Sequence, residues 1–369
     1  MSLAGLLDEA PREPAECVVA IEGKELAELH DQLEEVVVEC NRGQADLCTL
    51  RFTSVRDEHG GWQVQDHPAM RPWSRLTVEA RFGNLREPVF TGFVKQVRVR
   101  YPTGKSGSEV EVRAQDESLL LDRQAVVKLR STSEAPRTDK QVVAEIASEV
   151  SVLTLDAGCV DGLTNETLVQ SGTAAAFLRE RADANGFEFY VREGKVHFGP
   201  PKLAGETRPP ILVQAGPRTN CIDIAVEFDG HQPDAVRVHR PAQGGVEGEA
   251  LLFEPDQDEL GEAPASSNDR GLPPHETILR PSGGTEAEIA AAARARANEL
   301  SWKLRAEGEL DGALYGHVLR TYELVPVDGV GQTYGGIWYV DAVRHSFTAN
   351  GYRQRFKLVR NATGDGALG

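Results

Sequence analysis

The feature that most constrains the fold of this chain is a pair of short apolar-polar strands that occurs twice. The first copy reads VKQVR at 94–98 and, after a polar loop, VEVR at 110–113. The second copy reads VDAVR at 340–344 and FKLVR at 356–360, and both copies place their second strand 16 positions after the first. A chain that builds one barrel edge twice offers its neighbours two similar faces, and a trimer of such chains would offer six.

Segment 17–125, which contains the first copy, has the pattern of a small antiparallel barrel or sandwich. Residues 75–82 (RLTVEARF) alternate polar with apolar side chains, which predicts one buried face and one wet face. Turn-forming stretches such as 41–43 (NRG) and 59–61 (HGG) separate the strands. Several short strands with regular turn signals favour an all-β unit.

Segment 126–204 changes character and predicts two helices followed by a hairpin. Thr138 and Gln141 have the spacing of a capping box ahead of the first helix. The second helix is predicted to begin near Thr173 and to end at Asn185, because the glycine that follows tolerates the left-handed C-cap geometry. Residues 187–198 predict two strands joined by a Glu-Gly turn.

Segment 205–362 returns to strands and predicts a second barrel, interrupted by an insertion over 242–304. The first part of the insertion, 246–270, is rich in acidic residues, proline and glycine and is predicted to be an exposed loop. The second part predicts a helix that Thr285 caps, with an apolar stripe that extends to Leu304.

Composition and charge argue against several classes of function. The chain has 57 acidic and 40 basic residues and a net charge of −17, so stable nucleic-acid binding is not expected. No apolar run reaches the roughly 20 residues of a membrane helix, and the N-terminus lacks the pattern of a signal peptide. Five cysteines without a CxxC pair predict reduced thiols and synthesis in a reducing cytoplasm.

The candidate motifs for phosphate and calcium binding lack residues that this chemistry requires. The GKS at 104–106 resembles the end of a phosphate loop, but Val99 stands where a glycine is required, so a hairpin loop is favoured. The stretch 256–261 resembles a calcium loop, but Leu260 and Ser267 occupy ligand positions. HExxH and GxSxG are absent. The sequence therefore predicts no catalytic, cofactor or metal site, and a protein that is not an enzyme.

Three stretches, in order, resemble the late control gene D proteins of phages. The first is 81–94 with 112–116, the second is 170–199, and the third is 336–356. The resemblance spans about 17–361. The family includes the baseplate hubs of T-even phages and the N-terminal part of VgrG spikes. It is the order of the three stretches that makes the resemblance specific.

The resemblance implies a structural hub in the baseplate of a contractile phage tail or phage-like contractile injection system. In such a hub a homotrimer forms a pseudo-hexameric ring that adapts the sixfold tail tube to the threefold spike. The implied partners are the first ring of the tail tube, a spike protein and baseplate wedge proteins. Because VgrG proteins continue into further domains, whereas this chain ends about ten residues after Val359, the spike is expected to be a separate polypeptide.

With this resemblance the predicted fold class is mainly β with α (α+β). Two tube-protein-like antiparallel β-barrels, 17–125 and 205–362, are separated by the small helix-plus-hairpin domain 126–204. Residues 1–16 and 363–369 are predicted to be flexible tails.

The predicted site is an interface rather than an active site. The strands around 94–99 and 340–347 are expected to be barrel edges that pair between or within subunits. The candidate interface residues are Val94, Val97, Val340, Val343, His345, Phe347, Trp338 and Tyr339. Trp73 and Phe90 are further aromatic candidates, and ordinary core packing is the alternative for each residue. The alternative functions are a tail-associated cell-wall hydrolase and a self-polymerising inner-tube protein.

Overall fold

A computed structural model of the chain describes residues 14–103, 107–239, 250–266, 273–280 and 284–364. The fold is mainly β with few helices and contains a large curled antiparallel sheet, which confirms the predicted fold class. The GKS loop, most of both predicted tails and both ends of the acidic stretch lie outside the described residues.

The first barrel unit curls its strands around one apolar core. It consists of β1 (Ala15–Ile21), β2 (Lys24–Glu25), β3 (Leu33–Asn41), β4 (Leu47–Val55), β5 (Arg75–Phe82), β6 (Leu85–Arg100) and β7 (Gly107–Asp116). In the sheet these strands follow the order β3-β4-β7-β6-β5-β1-β2. The predicted alternation in β5 is confirmed, because Leu76, Val78, Ala80 and Phe82 are buried and the side chains that alternate with them are not.

The middle unit packs two helices against three small sheets. It consists of β8 (Ala125–Ser131), β9 (Arg137–Thr138), α1 (Asp139–Ser148), β10 (Thr154–Leu155), β11 (Thr164–Asn165), β12 (Leu168–Thr173), α2 (Ala174–Asn185), β13 (Glu188–Arg192) and β14 (Lys195–Gly199). The capping box of Thr138 and Gln141 is present, and Gly186 ends α2 with a φ of 67°. Strands β13 and β14 form the predicted hairpin.

The second barrel unit contains the longest insertion. Its elements are β15 (Ile211–Leu212), β16 (Cys221–Phe228), β17 (Ala235–His239), β18 (Ala250–Phe253), β19 (Ala263–Pro264), β20 (Glu276–Leu279), α3 (Glu286–Leu300), β21 (Leu304–Asp311), α4 (Gly312–Tyr315), β22 (Leu324–Asp328), β23 (Gly336–Thr348), β24 (Gly351–Arg360) and β25 (Ala362–Thr363). Thr285 caps α3 as predicted. The helix ends at Leu300, however, so Leu304 belongs to β21 and not to the helical stripe.

The acidic stretch is not simply an exposed loop, and this prediction was wrong for its described part. Strand β18 pairs with β17, and β19 pairs with β25. Leu260 is buried, its amide donates to Asn361 (3.0 Å), and its carbonyl accepts from Arg360 (2.7 Å). The polar composition of the stretch misled the prediction because its partners lie about 100 residues away in the chain.

The two barrel units repeat one topology. The first unit has the sheet order β3-β4-β7-β6-β5, and the second has the order β16-β21-β24-β23-β22. When these five strands are numbered in chain order within each unit, both sheets have the order first, second, fifth, fourth and third. Strands β3 and β16 are therefore equivalent, and so are β6 and β23.

Matching irregularities in the strands confirm this equivalence. An extra residue interrupts the register of β6 at Lys95, and an extra residue interrupts β23 at the equivalent Asp341. A second pair of bulges lies at Glu34 in β3 and at Ile222 in β16. Because a β-bulge locally re-aims a strand, the same bends recur in both units. The equal 16-residue spacing seen in the sequence does not join equivalent positions, because Val110 pairs with Val99 whereas Phe356 pairs with Val343, the equivalent of Val97.

An aromatic residue in a left-handed conformation precedes the third strand of both units. Trp73 has a φ of 74° and Tyr322 a φ of 66°, a region that bulky side chains seldom adopt. The amide of Trp73 donates to the carbonyl of Val94 (2.6 Å), and that of Tyr322 donates to Val340 (3.1 Å). The duplication therefore extends from strand order to individual hydrogen bonds.

The two units are fused edge to edge in one 13-stranded sheet. The first part of β23 pairs with β22, and its second part, from Ala342 to Thr348, pairs with β3. Segments that are far apart in the sequence are thus neighbouring strands in space.

Candidate functional site

The candidate site is the barrel junction, defined as the paired parts of β3 and β23 together with Arg42 at the end of β3. Across the junction Arg344 is opposite Glu39, and their side chains form an ion pair at 3.3 Å. On the other face of the same strands Val343 is opposite Cys40, and both are buried. The junction therefore has one charged wet face and one apolar face, as cross-strand pairs in a half-buried sheet require.

An aromatic cluster from the second unit closes the core of the first. Phe347 stacks on Tyr352 with ring centroids 4.0 Å apart, and both rings pack among the buried residues of the first unit. The Tyr352 hydroxyl lies 2.8 Å from Nδ1 of His345. Burial lowers the pKa of His345 to about 3, so the imidazole is neutral at pH 7. His345 is a packed residue that shares a buried hydrogen bond.

Arg42 links the two barrel units to the middle unit. Its Nε donates to Oδ1 of Asp341 (2.9 Å), the bulge residue of β23. Its Nη2 donates to Glu299 of α3 (3.2 Å), and its Nη1 lies 3.9 Å from Glu188 of β13. These three carboxylates raise the pKa of Arg42, although burial opposes them. A guanidinium suits this position because its fork of donors can engage several carboxylates at once.

Glu188 is the buried member of this network. Its side chain is 6% exposed and accepts a hydrogen bond from the Tyr339 hydroxyl (2.7 Å). Burial raises its pKa to about 7, although the hydrogen bond from Tyr339 and the charge of Arg42 favour the ionised form. The network around Arg42 therefore contains a buried carboxyl group whose pKa is raised to about 7.

Replacing Glu188 by glutamine should change how stability depends on pH. Between the ordinary value of 4.5 and about 7, the unfolded chain releases this proton and the folded chain retains it. The free energy of unfolding of the wild type should therefore fall relative to Glu188→Gln by about 1–3 kcal/mol as pH rises from 4 to 8. Urea unfolding of both proteins at several pH values measures the difference. A difference that is constant with pH would contradict the assignment.

The structure places the predicted interface residues mostly in the interior of the chain. Val97, on β6, is partly buried. The other seven are buried: Val94, Val340, Val343, His345, Phe347, Trp338 and Tyr339. Of the further aromatic candidates, Phe90 is buried, and Trp73 is 46% exposed with the Arg123 guanidinium 4.3 Å from its ring. The side chains pack within the chain, and the interface role of their strands stays a prediction.

The sequence did not predict the network of charged side chains around Arg42. Arg42, Asp341 and Glu188 lie in separate segments without a shared motif, so no spacing pattern connects them. The one local signal was the doubled strand pair, in which Asp341 occupies the same place as Lys95.

Searches for other chemistry in the described residues found little. Nowhere in the described ranges do three or more His, Cys, Asp or Glu side chains form a group that could hold a metal ion. All five cysteines are free thiols. Among the described helices, none has the length and apolarity to cross a bilayer.

Comparison with known families decides the affiliation of the chain. The sequence model of the Alg8 N-terminal domain matches residues 12–349. The chain belongs to the Alg8 N-terminal domain family. A search of curated proteins gave no match to the chain.

Solved structures of tail proteins share the fold of this Alg8 N-terminal domain. The 43 kDa tail protein of prophage MuSo2 from Shewanella oneidensis has a TM-score of 0.68 at 15% identity, covering 94% of this chain and 98% of the other. The tail protein of Neisseria meningitidis MC58 has a TM-score of 0.63 at 13% identity, and the match covers 94% of this chain and 96% of the other. The c3393 protein of E. coli has a TM-score of 0.57 at 11% identity, and the match covers 95% of this chain and 79% of the other. It is a component of the type VI secretion system with structural similarity to the T4 tail proteins gp27 and gp5. The chain therefore shares the fold of these tail proteins.

Proposed function

We propose that the chain is a structural baseplate hub of the late control gene D type. In this role three copies form a pseudo-hexameric ring in a contractile phage tail or a phage-like injection particle. The ring connects the sixfold tail tube to the threefold spike and contacts baseplate wedge proteins. The chain acts by binding its neighbours and does not catalyse a reaction.

The observation that carries the proposal is the duplicated barrel unit. Both units have the same strand order, the same two bulges and the same left-handed aromatic residue. Three chains with two equivalent units each supply six equivalent positions. Such a ring can match a sixfold partner on one side while keeping its threefold symmetry for the other.

The structural neighbours support the same role. Two of them are tail proteins whose whole length this chain matches, and a third is a component of the type VI secretion system. The tail tube and the spike are therefore the proposed partners. Within each chain we propose the domain limits 17–125, 126–204 and 205–362, with 242–304 as the insertion.

Within this proposal, backbone edges rather than the buried side chains form the interface. Seven of the eight candidate residues support the barrel walls from inside. Val97 differs because it is partly exposed on β6. Rigid walls keep the strand edges in a fixed geometry, which association of large protein surfaces requires.

The mass and shape of the purified full-length chain test the proposal. Light scattering should give the mass of three chains, and electron microscopy should show closed rings. Long fibres would instead indicate an inner-tube protein, and degradation of murein would indicate a cell-wall hydrolase. A chain that stays monomeric at all concentrations would contradict the hub.

A further inference from the structure

We infer that neighbouring protomers join by pairing the free edge of β16 in one copy with the free edge of β6 in the next. The inference rests on the proposed hub function and specifies its subunit contact. The barrel junction inside each chain is the template, because it joins β23 to β3, the equivalents of β6 and β16.

Both proposed edges lack a strand partner in the described part of the chain. Strand β16 ends the 13-stranded sheet and pairs on one side with β21. Strand β6 pairs with β5 only up to Phe93, and beyond Val94 its described partner is β7 alone. The equivalent stretch of β23 is occupied by β3. Each chain thus contains one filled junction and the two complementary halves of another.

Large apolar side chains are exposed on β16 and at the end of β6. Phe228 is 44% exposed and Ile222 is 52% exposed on β16, and Tyr101 is 59% exposed just beyond β6. Strand β16 contains neither lysine nor proline, the residues that commonly protect an exposed edge from pairing with another chain. The equivalent of Tyr101 in the filled junction is Phe347, which is 6% exposed because it packs into the neighbouring unit.

The bulges fix how residues correspond between the filled and the open junction. Aligning Lys95 with Asp341 makes Arg98 the equivalent of Arg344. Aligning Glu34 with Ile222 makes Glu227 the equivalent of Glu39. The ion pair across the filled junction is thereby reproduced, with the same charges on the same strands, between two protomers.

Neighbouring positions on the edges are complementary in the same register. In the filled junction Val343 lies opposite Cys40, and the equivalent pair between protomers is Val97 opposite Phe228. The filled junction also has Phe347 opposite Val36, and the equivalent pair is Tyr101 opposite Ile224. Arg98 and Glu227 are both exposed, and neither forms an ion pair within the described ranges. Pairing the two edges would satisfy both the charges and the backbone groups.

The contact joins different surfaces of two copies and is therefore head-to-tail. Interfaces of this kind form a closed ring when the rotation per subunit closes, and an open filament when it does not. The chain's own filled junction supplies every second contact around such a ring. The ring would then continue one sheet through all six barrel units.

Disulfide cross-linking of the full-length chain tests the register. The variant Arg98→Cys with Glu227→Cys should form, on mild oxidation, reducible covalent dimers and trimers, since these residues would be opposite each other. The matched control, Arg100→Cys with Glu227→Cys, represents a slip of two residues that also pairs opposite charges. The wild type, with its five native thiols, is oxidised in parallel and should stay uncross-linked.

Charge exchange provides a second readout that does not depend on cysteine. Arg98→Glu or Glu227→Arg alone should weaken trimer formation at least tenfold, because like charges would then face each other. The double exchange should restore the trimer. The unfolding temperature of the monomer should not change in any of these variants, because both side chains are exposed.

The outcomes separate this inference from the proposed function. If the wild type is trimeric but the 98–227 pair does not cross-link, or the slipped 100–227 pair cross-links instead, the strand contact is wrong and the hub proposal stands. If the wild type forms no trimer, both are overturned.

Discussion

Replacing Val343 by aspartate should unfold the chain. Val343 is 1% exposed in the core of the second barrel unit and lies opposite Phe356. A carboxylate there would be buried without a charged partner next to it, and such substitutions cost about 3–5 kcal/mol, a large fraction of the stability of a typical domain. The effect should appear before any question of assembly, because it acts on the monomer.

Urea unfolding followed by circular dichroism measures this loss. The matched control is Val127→Asp on β8, where the valine side chain is 83% exposed. That substitution should change the free energy of unfolding by no more than about 0.5 kcal/mol. Wild-type stability of Val343→Asp would mean that β23 does not lie in the core.

Replacing Arg360 by methionine should release the acidic stretch from the second barrel unit. The Arg360 side chain is fully buried, and its guanidinium donates to the carbonyls of Leu260 (2.7 Å), Gly335 (2.6 Å) and Gly364. Methionine fills similar space but leaves these acceptors without their charged donor. Because hydrogen bonds to charged groups contribute about 1.5–3 kcal/mol each, we expect a loss of at least about 3 kcal/mol.

Limited proteolysis combined with urea unfolding checks this result. Cleavage within 254–266 should become faster in Arg360→Met than in the wild type, because the carbonyl of Leu260 loses its anchor. Arg355→Met is the control, since Arg355 is exposed and its ion pair with Glu309 contributes little. Unchanged cleavage in Arg360→Met would show that β19 and Asn361 hold the stretch without the guanidinium.

The helix starts, the end of α2 and the hairpin could be predicted because their signals are local. A capping side chain such as Thr138 or Thr285 bonds to a backbone amide three residues away, so both partners appear in one short window of sequence. The C-cap at Gly186 is equally local. The same window gave no warning about Leu260, whose polar surroundings indicate solvent and whose partners lie about 100 residues further on.

The candidate site shows the same division. The doubled strand pair was visible in the sequence, and its strands β6 and β23 are equivalent in the structure. It drew attention to the alternating valines, whose side chains face the interior, and not to the charged pair Arg344 and Glu39, which crosses the wet face of the junction. Arg42 and Asp341 are 299 positions apart, so nothing in the sequence joins them.

By itself the amino-acid sequence determined the mainly β fold, the repeated strand pair and the helix caps, because alternation and capping act over a few residues. Only the tertiary structure decided that β23 pairs with β3 and that β6 and β16 keep edges without a strand partner among the described residues. Strand pairing uses backbone groups that almost every residue carries. Which edge meets which is therefore set by the curvature and bulges of the assembled sheet.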